Sequence, residues 1–204
     1  MKSIHNFIVH IPNRYNETFK TESGLEMYGD SRWSAKEMAN TIVKVIEIPC
    51  NYKGIIQKGF EVLIDPTVVF NQVYQKTGVA ESHHLIDKEK GLYRVEPSLI
   101  ILYRKDAEED WRGHDTNLIA ERIKEEEVPE EKSSIIFLPS EKPTHKKGEV
   151  KVVYGNRTLE VQGVFDGDTV YVTDLYGVDF FMDGKKYVWF RTNYVNALKE
   201  SYVA

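Results

Sequence analysis

Apolar residues recur along this chain in short bursts, most of them alternating with polar positions. Phe7-Ile8-Val9-His10-Ile11, Ile42-Val43-Lys44-Val45-Ile46, Glu61-Val62-Leu63-Ile64, Val150-Lys151-Val152-Val153-Tyr154 and Tyr187-Val188-Trp189-Phe190 are rich in β-branched and aromatic side chains. Such residues fit a pleated, half-buried surface, so each burst predicts a β-strand. Turn-forming pairs separate them: Asp65-Pro66, Gly155-Asn156, Asp166-Gly167 and Asp183-Gly184. Asp183-Gly184, between Phe180-Phe181 and Tyr187-Val188, predicts a tight hairpin because glycine accepts positive φ at little cost. Helical patterns are few. Ser34 to Asn40 is one, and Thr116 to Glu127 is another, the latter competing with a strand over Asn117 to Arg122. The expected class is all-β, a barrel or sandwich in each half of the chain.

The halves are visible as an internal repeat. Lys105 to Trp111 is polar and lacks strand periodicity, so it reads as a linker before Arg112-Gly113. Ile4 to Ile11 aligns with Gly113 to Ala120, give or take one residue. Lys58 to Ile64 aligns with Asp166 to Val172, and Leu92 to Leu102 with Val188 to Leu198. The strand at Asn117 to Arg122 is favoured because it matches the first strand of the first half. The expected domains are residues 1–110 and 113–204, the first carrying an insertion at 66–84. Within that insertion, Val68 to Tyr74 reads as an extra strand or a subunit contact.

Composition narrows the function classes. The chain has 204 residues, 41% of them hydrophobic and 12% aromatic, which is ample for packed cores. Lys and Arg number 27 against 32 Asp and Glu, a net charge of −5, so the basic excess of a nucleic-acid binder is absent. No run approaches the roughly 18 apolar residues of a membrane span. Met1 to Asn6 has no apolar signal core, so a mature cytoplasmic protein is expected. One cysteine, Cys50, allows neither an internal disulfide nor a thiolate cluster. Glu81, His83, His84 and Asp87 resemble a metal cluster superficially, but adjacent histidines point to opposite faces of a strand. Surface histidines are the better reading, and no metal site is expected. Neither a nucleophile elbow nor a phosphate-binding glycine loop occurs. No catalytic residue and no cofactor are expected.

Three stretches carry a resemblance. Gly167-Asp168-Thr169-Val170-Tyr171-Val172, Gly177-Val178 with Asp183-Gly184-Lys185-Lys186-Tyr187, and Asn193-Tyr194-Val195-Asn196-Ala197 follow Ile135-Ile136-Phe137-Leu138-Pro139 and Gly148-Glu149-Val150 at family spacing. In this run the chain resembles the GroES-type co-chaperonins, well over His114 to Lys199 and loosely over Ile4 to Arg104. The resemblance implies two GroES-like β-barrels in tandem, each with a long mobile loop after its first strand. It implies a co-chaperonin that caps a GroEL-type chaperonin ring and assists ATP-dependent folding, the nucleotide being bound by the partner. It also implies a homo-oligomeric ring, with Asn193 to Leu198 and Ile4 to Ile11 as the strands at subunit edges.

The resemblance places chaperonin-binding residues in two loops. In the second half, the acidic limb Glu125 to Ser134 leads to Ile135, Ile136, Phe137 and Leu138. In the first half the loop is Tyr15 to Ser34 with its tip at Ser23 to Tyr28, where Gly24, Leu25 and Met27 are the binding residues and Glu26 departs from the family's aliphatic pattern. The segments Pro49 to Ile56 and Tyr154 to Phe165 are short for the roof loop many members carry. Two other readings stand beside this one. Ile135 to Leu138 also suits a buried strand, and the chain also suits a structural virion or scaffold component that keeps the barrel without chaperonin binding. An enzyme of unknown type is a third.

Overall fold

Alternating apolar positions become strands almost throughout the computed structural model, which describes residues 2–20, 25–29, 35–70, 72–74, 80–124, 145–182 and 185–199. In the first half these are β1 (Phe7–His10), β2 (Thr18–Lys20), β3 (Glu26–Tyr28), β4 (Ile42–Glu47), β5 (Glu61–Ile64), β6 (Gln72–Tyr74), β7 (Ala80–Ser82), β8 (Leu85–Asp87), β9 (Leu92–Val95), β10 (Ile100–Arg104) and β11 (Arg112–Gly113). Two short helices interrupt them, α1 (Ala35–Met38) and α2 (Thr67–Phe70). The second half contains β12 (Asn117–Lys124), β13 (His145–Tyr154), α3 (Arg157–Val161), β14 (Thr169–Val172), β15 (Val178–Met182), β16 (Lys185–Arg191) and β17 (Val195–Leu198). The competing helix over Thr116 to Glu127 does not form over its described part, where Asn117 to Ala120 are buried in β12.

Two large antiparallel sheets result. One has the order β11-β10-β5-β4-β1-β9-β8, the other β15-β16-β12-β13-β14-β17. Without β11, and with the second sheet read from its far end, the orders coincide: β10-β5-β4-β1-β9-β8 and β17-β14-β13-β12-β16-β15. The match extends to register. Phe7 faces Val95 as Leu118 faces Phe190, and Val9 faces Tyr93 as Ala120 faces Val188. Val43 faces Val62 as Val150 faces Val170. Ile64 faces Ile100 as Val172 faces Val195. Register therefore moves two of the sequence alignments. Phe7 corresponds to Leu118 rather than to Thr116, and Tyr93 rather than Leu92 corresponds to Val188.

Each sheet folds over its own apolar cluster. Phe7, Val9, Val43, Val45, Val62, Ile64 and Val95 pack in the first. Their counterparts Leu118, Ala120, Val150, Val152, Val170, Val172 and Phe190 pack in the second. A third cluster joins the sheets: Leu63, Ile101 and Leu102 from the first meet Trp111, Ile119, Met182 and Tyr187. Trp111 is 4% exposed and lies under the Arg104 guanidinium, 4.3 Å from the ring centre. The segment expected to be a plain linker thus ends in a buried anchor, and β11 extends it by pairing with β10.

Two further expectations change. Val68 to Tyr74 is neither one extra strand nor a subunit contact at its start: α2 buries Val68 and Val69 completely in the first core, and β6 then pairs with β7. β1 lies between β4 and β9, so Ile4 to Ile11 does not form a sheet edge. β17 does lie at an edge, as expected for Asn193 to Leu198. Asp183-Gly184 lies outside the described residues, but the pairing of β15 with β16 runs up to Met182 opposite Lys185 on either side of it.

Candidate partner-binding site

The two sheets send out their long excursions from the same place. In the first the chain leaves after β1 and returns at β4; in the second it leaves after β12 and returns at β13, the corresponding strands. The base of the first excursion is tied down by its backbone. Asn16 N–H donates to Met38 O at 2.8 Å and Asn40 N–H to Arg14 O at 3.0 Å. The Arg14 guanidinium donates to Val69 O at 2.6 Å, linking the base to α2. Met38, the last residue of α1, is buried at this base, 1% exposed.

Beyond that base the excursion becomes a ribbon. β2 pairs with β3, Thr18 opposite Tyr28, Phe19 opposite Met27 and Lys20 opposite Glu26. Leu25, Met27 and Tyr28 are 61%, 44% and 86% exposed, so three large apolar side chains face solvent within four residues. Burying one fully gains about 1.5–3 kcal/mol, so such a row represents binding capacity. The Glu26 carboxylate accepts a 2.7 Å hydrogen bond from Thr18 Oγ1 and is thus partnered within its own ribbon. Leu25 and Met27 sit where the sequence placed them, at an exposed tip. Tyr28, in the expected tip but not among its named contacts, is the most exposed of the three and lies on the opposite face of the strand from Met27.

In the second excursion, Lys124 pairs with His145 where the chain leaves and returns. A cavity of about 280 Å³ lies beside this base, lined by Glu121, Arg122, Lys124, His145, Asp179, Lys185, Lys186 and Tyr187. Its charges are largely paired. The Arg122 guanidinium binds the Asp174 carboxylate and reaches Asp179 at 3.2 Å, while Lys185 binds Glu121. Burial alone would lower the Arg122 pKa, yet the two carboxylates hold it above its ordinary value. The hydrogen bond to Glu121 likewise raises Lys185. A base of this kind fixes where the excursion starts and ends. Ile135, Ile136, Phe137, Leu138 and Gly24 lie outside the described residues.

A groove of about 600 Å³ between the sheets is lined mainly by apolar residues including Leu63, Pro66, Phe70, Ile101, Phe180 and Trp189. Of its polar groups, the Asp65 carboxylate is engaged by the Thr67 N–H at 2.8 Å and hydroxyl at 2.6 Å. His83 and His84 stack with ring centres 3.8 Å apart, and His84 is buried rather than at the surface. Among the described residues no group of three or more His, Cys, Asp or Glu is placed to hold a metal ion. No helix among them is long and apolar enough to cross a membrane. No family model matches this chain, and no curated protein matches it either.

Proposed function

We propose that this protein is a tandem co-chaperonin. Each sheet rolls into a GroES-like barrel, and the excursions after β1 and β12 carry apolar tips that dock on a GroEL-type chaperonin ring. One observation supports this reading above the others. Two sheets of the same strand order emit a long excursion at the same point, and the described tip of the first exposes Leu25, Met27 and Tyr28. A few apolar side chains on a loop give weak binding, because ordering the loop offsets much of the gain. Several copies held in one homo-oligomeric ring raise the effective concentration of every tip and turn weak contacts into useful avidity. The chain performs no covalent chemistry in this scheme and uses no cofactor of its own; ATP is bound and hydrolysed by the partner, in the cytoplasm.

The test is complex formation with GroEL-type rings in ATP or ADP, followed by size-exclusion chromatography. Wild type is expected to co-elute with the ring, Ile136→Asp to lose the complex, and Leu25→Asp with Met27→Asp to weaken it. A wild-type chain that never co-elutes with any such ring, its host's included, favours the other reading: a structural virion or scaffold protein with the same barrels. The exposed apolar row on the β2–β3 ribbon would then be an assembly contact.

A further inference from the structure

Corresponding outer strands of the two sheets are built differently. β8 closes one end of the first sheet, and β15 closes the corresponding end of the second. β8 has three residues, and its register with β9 shifts between Leu85 and Asp87. Shortness and irregular pairing both blunt an edge against further strands. β15 has neither protection. It runs for five residues, about 17 Å at the usual rise of a strand. It pairs with β16 without a shift, from Val178 opposite Trp189 to Met182 opposite Lys185. Four of its five residues are apolar, and among the described residues no strand lies along its outer edge.

The groove between the sheets follows this edge. Val178, Asp179, Phe180 and Phe181 all line it. Successive residues of a strand point to opposite faces, so a groove that touches four in a row runs along the edge the two faces share. Val178 and Phe181 are 40% and 44% exposed. The opposite wall is formed by Leu63 from β5 and by Pro66 and Phe70 at α2. Its backbone is already engaged: Asp65 N–H donates to Leu99 O at 2.8 Å, and Phe70 N–H to Pro66 O at 3.1 Å. That wall offers side chains, whereas β15 offers an edge. The carboxylates of the groove are partnered within the chain, Asp65 by Thr67, and Asp179 by Arg122 at 3.2 Å and Lys186 at 3.5 Å. A charged occupant would lose its hydration there without gaining a counter-ion.

We propose that this groove takes up an extended, uncharged apolar segment of another polypeptide, which adds to β15 as a further strand. Main-chain hydrogen bonds along the edge supply affinity, and alternate side chains entering between Leu63, Phe70 and Trp189 supply selectivity. A compact ligand would fill the groove but leave the edge unpaired. Apolar segments lie open in unfolded chains and are buried on folding, so the partner is a non-native polypeptide. The inference goes beyond the chaperonin reading and stands without it, since β15 belongs to neither excursion.

Fluorescence anisotropy of the labelled peptide acetyl-Thr-Val-Ile-Phe-Val-Thr-amide, titrated with the full chain, tests this. Wild type is expected to bind it saturably. The same peptide with alternate amides N-methylated keeps its side chains and is expected to bind about tenfold more weakly, the effect of losing two or three ordinary hydrogen bonds. Phe181→Lys and Val178→Lys change exposed edge positions, where lysine opposes strand addition. Both are expected to keep the wild-type circular dichroism and melting temperature and to lose the peptide. Equal binding of the N-methylated peptide overturns the proposal in favour of a compact apolar ligand. Undiminished binding by both lysine variants overturns it by moving the peptide to another surface. A wild type that leaves the peptide unbound overturns it too. The groove then belongs to the chain's own apolar run if Ile136→Asp restores binding, or to a second copy if Phe181→Lys abolishes a dimer in sedimentation.

Discussion

Gly59 and Gly167 hold the same position in the two sheets. Gly59 donates its N–H to Val45 O at 2.8 Å, and Gly167 donates to Val152 O at 2.8 Å, Val45 and Val152 being counterparts in register. Both adopt positive φ, 88° and 96°, at the turn entering β5 and β14. A Cβ added to either meets nothing within 4 Å, so the side chain is excluded by backbone conformation and not by space. Left-handed backbone costs an ordinary residue about 1–2 kcal/mol.

Gly59→Ala and Gly167→Ala should therefore destabilise their sheets by similar amounts, each about 1–2 kcal/mol. Urea titration of each variant measures this. Markedly unequal losses would show that the two turns are not mechanically equivalent.

The joint has a polar bolt as well as an apolar filling. Asn117 is 4% exposed; its Nδ2 donates to Ile100 O at 2.9 Å in the first sheet, and its Oδ1 accepts from Trp189 Nε1 at 3.0 Å in the second. Asn156 Nδ2 adds donations to Asn117 O and Thr192 Oγ1, both at 2.8 Å. Asn117→Leu deprives two groups of partners at a cost of about 1–3 kcal/mol for each that cannot reach water. Trp189→Phe on the Asn117→Leu background should cost less than on wild type, because the indole donor has already lost its acceptor. Additive losses in denaturant titration would contradict the coupling.

Much of this architecture was legible because its signals are local. Alternation marked the strands, and the Gly59 to Gly167 alignment was right to the residue because positive φ pins glycine to one place in a turn. The other alignments slipped. β1 and β12 are off by two residues, a shift that their apolar alternation preserves. β9 and β16 are off by one, because Tyr187-Val188-Trp189-Phe190 is apolar throughout and gives no alternation to fix the register. Strand order was not legible in the same way. It depends on contacts between residues far apart in sequence, so the central position of β1 and the burial of Val68 and Val69 emerged only from the fold. At the candidate site, Leu25 and Met27 stood out as apolar residues in a polar excursion. Tyr28 falls within the same expected tip, but its exposure, 86%, is a matter of which face of β3 it occupies and emerged only from the fold.

Trp111 shows how firmly the sequence between the sheets is held. Its indole is buried in the joint beneath Arg104, which is itself ion-paired with Glu61 at 2.7 Å. Trp111→Ala should cost about 3–5 kcal/mol, the usual range for emptying a buried aromatic site. Because Leu63 and Ile101 lose their cover, it should also speed proteolysis between Lys105 and Gly113. Limited trypsin digestion with mass analysis tests both consequences, and an unchanged cleavage pattern would remove Trp111 from the joint.

Acid should loosen the joint before it attacks either core. His114 is 8% exposed beside that joint; its backbone N–H donates to Ile101 O at 2.9 Å, and its ring Nε2 lies 3.4 Å from the Tyr52 hydroxyl. Tyr103 packs edge-on to its ring, and Asp115 is the nearby carboxylate. Burial lowers its pKa, and the Asp115 charge only partly opposes this. His84 is lowered too, first by burial and then by His83, with Arg94 and Glu96 as its other charged neighbours. A histidine whose folded pKa lies below its unfolded value of about 6.5 imposes no penalty at higher pH. As pH falls below that value, the unfolded chain takes up a proton that the fold resists, and stability declines until the folded pKa is passed. Each group contributes at most about 1.4 kcal/mol per pH unit within that window. Stability measured from pH 8 down to 5 should therefore be level at first and then fall, and His114→Gln should flatten the decline relative to wild type. An unaltered slope in that variant would place the acid sensitivity elsewhere, with His84→Gln the next position to compare.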